Sequence, residues 1–224
     1  VKLLSSLADT RSNLRRKLVQ VDEEVYVTFA GLAADGRVML DKIRVECQSY
    51  RLTFGEAPSL AHIARYAGDL QHRYTLQGGG RPFGVALIIA GFDADTGGAR
   101  VFRTDPSGAV TEWRAVAVGG GKGVNDAAMK QLEAEGGKLG EMEGESLAEA
   151  AARAALQADA ARECEVLLLQ RRTGTGPRAT SRWLTARKGK ADASSTAAVS
   201  PASKTFSVEL VEREKAGATP DAVS

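Results

Sequence analysis

The sequence predicts an α+β fold in which helices cover the outside of packed antiparallel sheets. The period of the apolar residues changes along the chain and gives the order strand, two helices, three strands, two helices, strand. Paired helices that alternate with runs of strands are typical of layered α+β proteins. A length of 224 residues with 43% hydrophobic residues is enough for one such domain with a real core.

The first strand and the first two helices follow from local periodicity. Residues 1–24 are polar and mixed, and Val25–Ala30 is a short apolar run that predicts a buried strand. From residue 32 to about residue 50 the pattern is helical, with Met39, Ile43 and Cys47 spaced four apart on one face. A second helix opens at Pro58 and Ser59 and has an apolar line of Leu60, Ile63, Ala64, Ala67, Leu70 and Tyr74.

The middle of the chain predicts a buried strand, a hairpin, two more helices and another strand. Asp105-Pro106-Ser107-Gly108 has the residues of a type I turn and joins the two strands of the hairpin. The Ala-rich composition of the last helix allows it to pack closely on a sheet. The predicted elements are strands 85–92, 99–104 and 109–118, helices 123–135 and 146–161, and strand 165–170.

Composition divides the chain into three parts. Residues 1–190 are predicted to form the layered domain. Residues 191–203 consist almost entirely of Ala, Ser, Thr, Val and Pro, which is typical of a low-complexity loop or linker. Residues 204–224 are predicted to hold a final strand over 204–211, followed by a frayed C-terminal tail.

Charge and cysteine usage narrow the classes of function. Lys and Arg number 30 against 28 Asp and Glu, so the net charge of +2 favours neither nucleic acid nor an anionic membrane as a partner. Cys47 and Cys164 lie far apart and outside any CxxC spacing, which indicates reduced core thiols in an intracellular protein. We find no apolar run long enough to span a bilayer.

Few residues have the spacing that catalysis or metal binding requires. Ser107 lies in a predicted turn without a His partner, and His62 and His72 lack a Cys or carboxylate at metal-site spacing. Gly119–Gly123 lacks the order of a phosphate-binding loop. We therefore expect turn, packing and surface residues at these positions, with no cofactor and no metal.

A basic segment between residues 171 and 190 leaves two interpretations open. It has no acidic residue and one aromatic residue, Trp183, so a solvated hairpin is favoured over a nucleic-acid site. Its basic residues are Arg171, Arg172, Arg178, Arg182, Arg187, Lys188 and Lys190.

Four segments in order resemble the proteasome α-subunit family, and their residues are most similar to the α4 kind. The third ends in the sequence TDPSG, and the fourth is the Gly-rich loop that leads into a helix. Together they lie between Phe29 and about Gln170, which is most of the chain. The segments are Phe29–Thr53, Arg73–Asp93, Phe102–Gly108 and the stretch AVAVGGGKGVNDAAMKQLE from residue 115.

The resemblance implies a four-layer αββα sandwich, the Ntn-hydrolase fold. It also implies a non-catalytic structural subunit of the outer α ring of the core particle, with no catalytic residue of its own. Such a subunit supports assembly, substrate gating and activator docking in ubiquitin-dependent protein degradation, in the cytoplasm and the nucleus. Its partners are the other α subunits of a seven-membered ring, the β-ring subunits, and a regulatory particle or other activators.

One binding site follows from the same resemblance. In the family, a lysine before a Leu-rich strand lines a pocket between neighbouring α subunits and receives the C-terminal carboxylate of an activator tail. Lys17 falls on that position, and Gly31 and Leu32 match the turn that borders the pocket. A flexible ammonium group is a suitable point charge for a carboxylate. The alternative interpretation of Lys17 is a plain basic surface cluster with Arg15 and Arg16.

The resemblance is incomplete at both ends. Family members begin with a gate-forming tail and helix and then two further strands. We expect these N-terminal strands to be missing from this sequence, with residues omitted before Val1. The Ala- and Ser-rich region replaces the family's acidic and Lys-rich C-terminal helix. The competing function is a catalytically active Ntn-type amidohydrolase or peptidase subunit, which needs a processed N-terminal Thr, Ser or Cys.

Overall fold

Two antiparallel β-sheets stack face to face in the computed structural model, and helices cover both outer faces. This is the predicted αββα sandwich, so the prediction of the fold class is confirmed. The structure describes residues 2–6, 17–77, 80–93, 97–119, 121–134, 142, 144–158, 163–171, 179–188 and 208–212.

Thirteen elements follow one another along the described residues. They are β1 (Lys2–Ser6), β2 (Leu18–Asp22), β3 (Val25–Gly31), α1 (Ala33–Phe54), α2 (Leu60–Leu76), β4 (Val85–Phe92), β5 (Ala99–Thr104), β6 (Val110–Trp113), α3 (Gly121–Ala134), α4 (Glu145–Ala158), β7 (Glu163–Arg171), β8 (Ala179–Lys188) and β9 (Val208–Glu212).

The observed elements depart from the predicted ones near the two ends of the chain and at β6, which forms only Val110–Trp113 of the predicted strand 109–118. Strand β1 lies where the sequence predicts none, and β2 is a strand that only the resemblance implies, after Lys17, because each has only five residues and neither is a continuous apolar run. Strand β8 supplies the second arm of the expected basic hairpin, and β9 overlaps the expected final strand 204–211 and extends one residue beyond it. The predicted linker 191–203 lies outside the described residues, so the division into three parts stays a prediction.

Every strand pairs antiparallel with its neighbours. The first sheet has the order β2-β3-β4-β5-β6, and the second has the order β1-β7-β8-β9. Strand β3 pairs with β4 over its whole length, from Val25 opposite Gly91 to Gly31 opposite Val85. The first sheet therefore places the end of β3 beside the start of β4.

The central strands are apolar on both faces because each face is covered by another layer. In β4, Leu87 and Ile89 contact the cluster formed with α1 and α2, whereas Ile88 and Ala90 contact the opposite sheet. Strand β7 behaves in the same way, with Leu167 between the sheets and Leu168 under α4. The period of two along each strand thus divides the buried side chains into three apolar layers.

Helices α1 and α2 form one outer layer. The predicted stripe of Met39, Ile43 and Cys47 on α1 is buried against the first sheet. Helix α1 is capped at its C-terminal end by Gly55, whose φ of 76° is a left-handed conformation that favours glycine. On the other side of the molecule, α4 lies on the second sheet and α3 packs beside it.

A buried carboxylate ties the start of α2 to the first sheet. Asp93 is 2% exposed, and its Oδ1 accepts a hydrogen bond from the backbone N–H of Leu60 at 3.1 Å. Its Oδ2 accepts from Arg100 at 3.0 Å, and the same guanidinium binds Glu112 through two contacts of 2.8 Å. The negative charge of Asp93 also lies at the positive end of the helix dipole.

The two cysteines are buried in different outer layers. Cys47 belongs to the apolar cluster between α1, α2 and the first sheet, and Cys164 belongs to the cluster beneath α4. Burial raises the pKa of both thiols to about 12, and for Cys47 the nearby Asp22 adds to this effect. Both thiols are unpaired, as the sequence predicts.

Helix α1 approaches the first sheet closely at a single glycine. A methyl group on Gly36 would lie 2.4 Å from the ring of Phe29 on β3. We predict that Gly36→Ala lowers the free energy of unfolding by about 1–3 kcal/mol, because the ring has to shift in a close-packed layer. Gly123→Ala on α3 is the control, since a methyl group there meets nothing within 4 Å. Equal stability of the two variants in urea unfolding would contradict this account.

Candidate functional site

Lys17 and the Gly31–Leu32 turn lie at the same end of one strand pair. Lys17 is half-buried and directly precedes β2, whose first residue Leu18 pairs with Thr28 on β3. Since the two strands are antiparallel, β3 ends at Gly31 near the start of β2. The predicted site residues therefore share one end of the first sheet, although their activator-binding role stays a prediction.

The turn itself is closed against the start of β4. Gly31 has a φ of 122°, and a Cβ at this position would lie 2.2 Å from the carbonyl oxygen of Gly84. The backbone N–H of Leu32 donates to that same oxygen at 2.9 Å. Leu32 is 52% exposed. The turn thus combines a fixed backbone with an accessible apolar side chain at the start of α1.

A buried aspartate holds the segment that receives this hydrogen bond. Asp35 is 6% exposed, and its Oδ2 accepts from the backbone N–H of Gly84 at 2.8 Å. Arg81 binds the two carboxylate oxygens of Asp35 at 2.6 and 2.7 Å. Asp35 and Arg81 are not among the residues predicted from sequence. The two residues are 46 positions apart, so no local spacing joins them.

The contacts of Asp35 strongly favour the ionised form of its carboxyl group. The hydrogen bond from Arg81 and then that from Gly84 lower the pKa of Asp35 from 3.8 to about 2. The same contact raises the pKa of Arg81. The carboxylate also lies in the first turn of α1, where the helix dipole favours a negative charge.

The residues considered for other chemistry occupy structural positions. Ser107 lies in the turn between β5 and β6, where its hydroxyl and its backbone N–H donate to Asp105. His72 contacts the carbonyl oxygen of Ser107 at 3.2 Å, not the hydroxyl group. His62 Nε2 lies 2.9 Å from Glu46 across the seam between α1 and α2.

Within the described residues, the Gly-rich loop and the basic hairpin also make structural contacts. Gly119 has a φ of 100° and approaches Ala30, where a Cβ would lie 2.9 Å from the alanine side chain. On the basic hairpin, Arg182 pairs with Glu145 on α4 at 3.4 Å, while residues 172–178 lie outside the described part.

In the part of the chain that the structure describes, no group of three His, Cys, Asp or Glu could hold a metal ion. None of the described helices has the length and apolar character needed to cross a bilayer.

The depressed pKa of Asp35 predicts a specific loss of stability in acid. A carboxyl whose pKa is lower in the folded state stabilises the fold above its ordinary value of 3.8, and this contribution is lost as the pH falls toward 2. We predict that Asp35→Asn lowers the free energy of unfolding at pH 7 by about 2 kcal/mol, because hydrogen bonds to a charged group are removed. The loss should shrink as the pH falls from about 4 to 2.

Urea unfolding at a series of pH values measures this difference. Asp41→Asn is the matched control, because Asp41 lies on the same helix with 74% of its side chain exposed and pairs only with Arg44 among the contacts described. We expect the control to change stability by less than about 0.5 kcal/mol at pH 7. A difference between Asp35→Asn and the unmodified chain that is constant from pH 7 to pH 2 would contradict the prediction.

Comparison with known proteins agrees with the layered fold. A family model described as "Proteasome subunit" matches residues 3–168. The chain is 47% identical over 118 residues to "Proteasome subunit alpha type-7" of Dictyostelium discoideum, which is 53% of this chain and 46% of the relative. It is 45% identical over 134 residues to "Proteasome subunit alpha" of Methanocaldococcus jannaschii, which is 60% of this chain and 49% of that protein.

The relatives also correct one expectation. A third relative, from Caenorhabditis elegans, is 45% identical over 121 residues and is again named alpha type-7, so the expected α4 kind is not supported. The chain spans about half the length of the curated relatives that it matches. Because the family model covers well over half of the 224 residues, the chain belongs to the proteasome subunit family, and its relatives are of the alpha type.

Proposed function

We propose that this chain is a non-catalytic structural subunit of the outer α ring of a proteasome core particle. The observation that carries the proposal is the family match over residues 3–168, which include most of the αββα sandwich, together with the alpha-type names of the relatives. A sandwich of this kind presents two outer helix layers to its surroundings. Its partners would be other α subunits in a closed seven-membered ring and the β subunits of the next ring.

Assembly in a ring also gives a reason for the apolar residues on the outside of α1. Val38, Val45 and Leu52 are spaced seven apart and are 44%, 69% and 88% exposed. Residues seven apart lie on one face of a helix, so these three side chains share one face of α1. A row of exposed aliphatic side chains is typical of a surface that a partner covers.

Within the proposed ring, Lys17, Gly31 and Leu32 form the docking site for the C-terminal tail of an activator. Lys17 supplies a positive charge for a terminal carboxylate, and Leu32 supplies an exposed apolar contact beside it. The Gly31 turn fixes the backbone between them. A regulatory particle or another activator would be the partner at this site.

The wider biological setting is part of the same proposal. The subunit would contribute to substrate gating and activator docking in ubiquitin-dependent protein degradation. It would work in the cytoplasm and the nucleus as part of a threonine-protease complex whose catalytic residues lie in other subunits. The alpha-type names of the relatives support this role over that of an active amidohydrolase.

The assembly part of the proposal predicts the mass of the native species. We expect native mass spectrometry of material purified from its own cells to find the chain in a particle of many subunits. We also expect no peptide hydrolysis by the separated chain, measured with fluorogenic peptides. A stable monomer as the sole species, or turnover that follows the isolated chain, would contradict the proposal.

The docking part predicts a defect that is limited to activator binding. We expect Lys17→Ala to leave assembly intact and to weaken binding of an activator tail about tenfold or more, because a charge-assisted contact is lost. Lys130→Ala is the control, since this lysine is exposed on α3 and lies on the opposite outer layer. Binding is measured in a particle whose other pockets are blocked, and undiminished docking of Lys17→Ala would remove Lys17 from the site.

A further inference from the structure

Two hydrogen bonds in series connect the Asp35 carboxylate to the proposed docking turn. The first runs from the backbone N–H of Gly84 to Asp35 Oδ2 at 2.8 Å. The second runs from the backbone N–H of Leu32 to the carbonyl oxygen of Gly84 at 2.9 Å. Asp35 is therefore connected to Leu32 through the backbone of Gly84.

The contacts around Gly84 leave little space for the turn to move. A Cβ on Gly31 would lie 2.2 Å from the Gly84 carbonyl oxygen, and a Cβ on Gly84 would lie 2.9 Å from Cδ1 of Leu32. Both distances are shorter than ordinary van der Waals contact, so a side chain at Gly31 would collide with the backbone, and one at Gly84 would displace the end of the Leu32 side chain. A shift of Gly84 would be transmitted to the backbone and the side chain of Leu32.

Arg81 closes the arrangement from the solvent side. Its side chain is 63% exposed, whereas that of Asp35 is 9% exposed. The two parallel contacts of the guanidinium fix the plane of the carboxylate, which a single point charge does not do. They also balance the negative charge of Asp35. Without Arg81, this charge would be uncompensated three residues from the turn that is proposed to receive a carboxylate.

We propose that Asp35, held by Arg81, is a positioning residue that sets the Gly31–Leu32 turn for recognition of a terminal carboxylate. The inference rests on the proposed function, because it assumes that this turn binds an activator tail. Asp35 does not contact the tail. It acts through Gly84, and Arg81 keeps its charge from repelling the incoming anion.

The test measures how strongly the assembled particle prefers a carboxylate over an amide. The probes are a short peptide that ends in an apolar residue with a free carboxylate and the same peptide with an amidated C-terminus. We expect Asp35→Asn to lower the ratio of the two affinities about tenfold, because the turn is no longer held and binding of the carboxylate weakens selectively. A purely structural defect would reduce both affinities in proportion and leave their ratio unchanged.

Matched variants separate the contributions of charge and geometry. Asp41→Asn removes an exposed carboxylate from the same helix and should leave the ratio unchanged. Arg81→Lys keeps the positive charge but loses the paired contacts, so we expect a smaller drop than for Asp35→Asn. If Asp35→Asn does not assemble, Arg81→Lys decides the question, and an unchanged ratio in this variant would overturn the inference.

Lys17→Ala distinguishes failure of this inference from failure of the docking site. A ratio lost in Lys17→Ala but kept in Asp35→Asn overturns the positioning role alone. A ratio kept in both variants overturns the positioning role and the docking site together. A ratio lost in Asp35→Asn but kept in Lys17→Ala supports Asp35 and removes Lys17 from the site.

Discussion

Burial of the central strands on both faces is the constraint on which the rest of the structure depends. Strands β3, β4 and β7 place apolar side chains alternately toward an outer helix layer and toward the opposite sheet. A sheet with one face exposed to water would be unstable, because several large aliphatic residues on that face would be solvated. Four layers are the smallest number that covers both faces of both sheets.

The proposed docking site is a consequence of how these layers meet at one end of the first sheet. Antiparallel pairing brings the end of β3 beside the start of β4, so the Gly31–Leu32 turn lies directly on Gly84. The start of α1 follows at once and brings Asp35 to the same point. Backbone closure and charge balance therefore coincide where the family resemblance places a carboxylate pocket.

The sequence predicts those elements whose apolar pattern is complete within one segment of the chain. The apolar run of β4 and the spacing of Met39, Ile43 and Cys47 on α1 each predict an element that the structure has. Strand β1 could not be predicted in this way, because five residues ending in two serines owe their strand conformation to pairing with β7. Its stability comes from a partner more than 150 positions away, which local periodicity does not report.

The candidate site shows the same division between local and distant signals. Lys17, Gly31 and Leu32 could be named from the family resemblance, since each lies in a recognisable stretch of sequence. Asp35 and Arg81 could not, because their link depends on the register of β3 with β4 and on the start of α1. A salt bridge between positions 35 and 81 is a property of the folded layers, and each residue alone has the sequence context of an ordinary charged side chain.

The distribution of the two thiols gives each outer layer a chemical reporter of its own. Cys47 lies beneath α1 and α2, Cys164 lies beneath α4, and the sequence contains no other cysteine. Because the thiolate is the reactive form, each sulfur reacts with an alkylating reagent only when its own layer opens. The unmodified chain can thus report whether the two faces of the sandwich come apart together or in sequence.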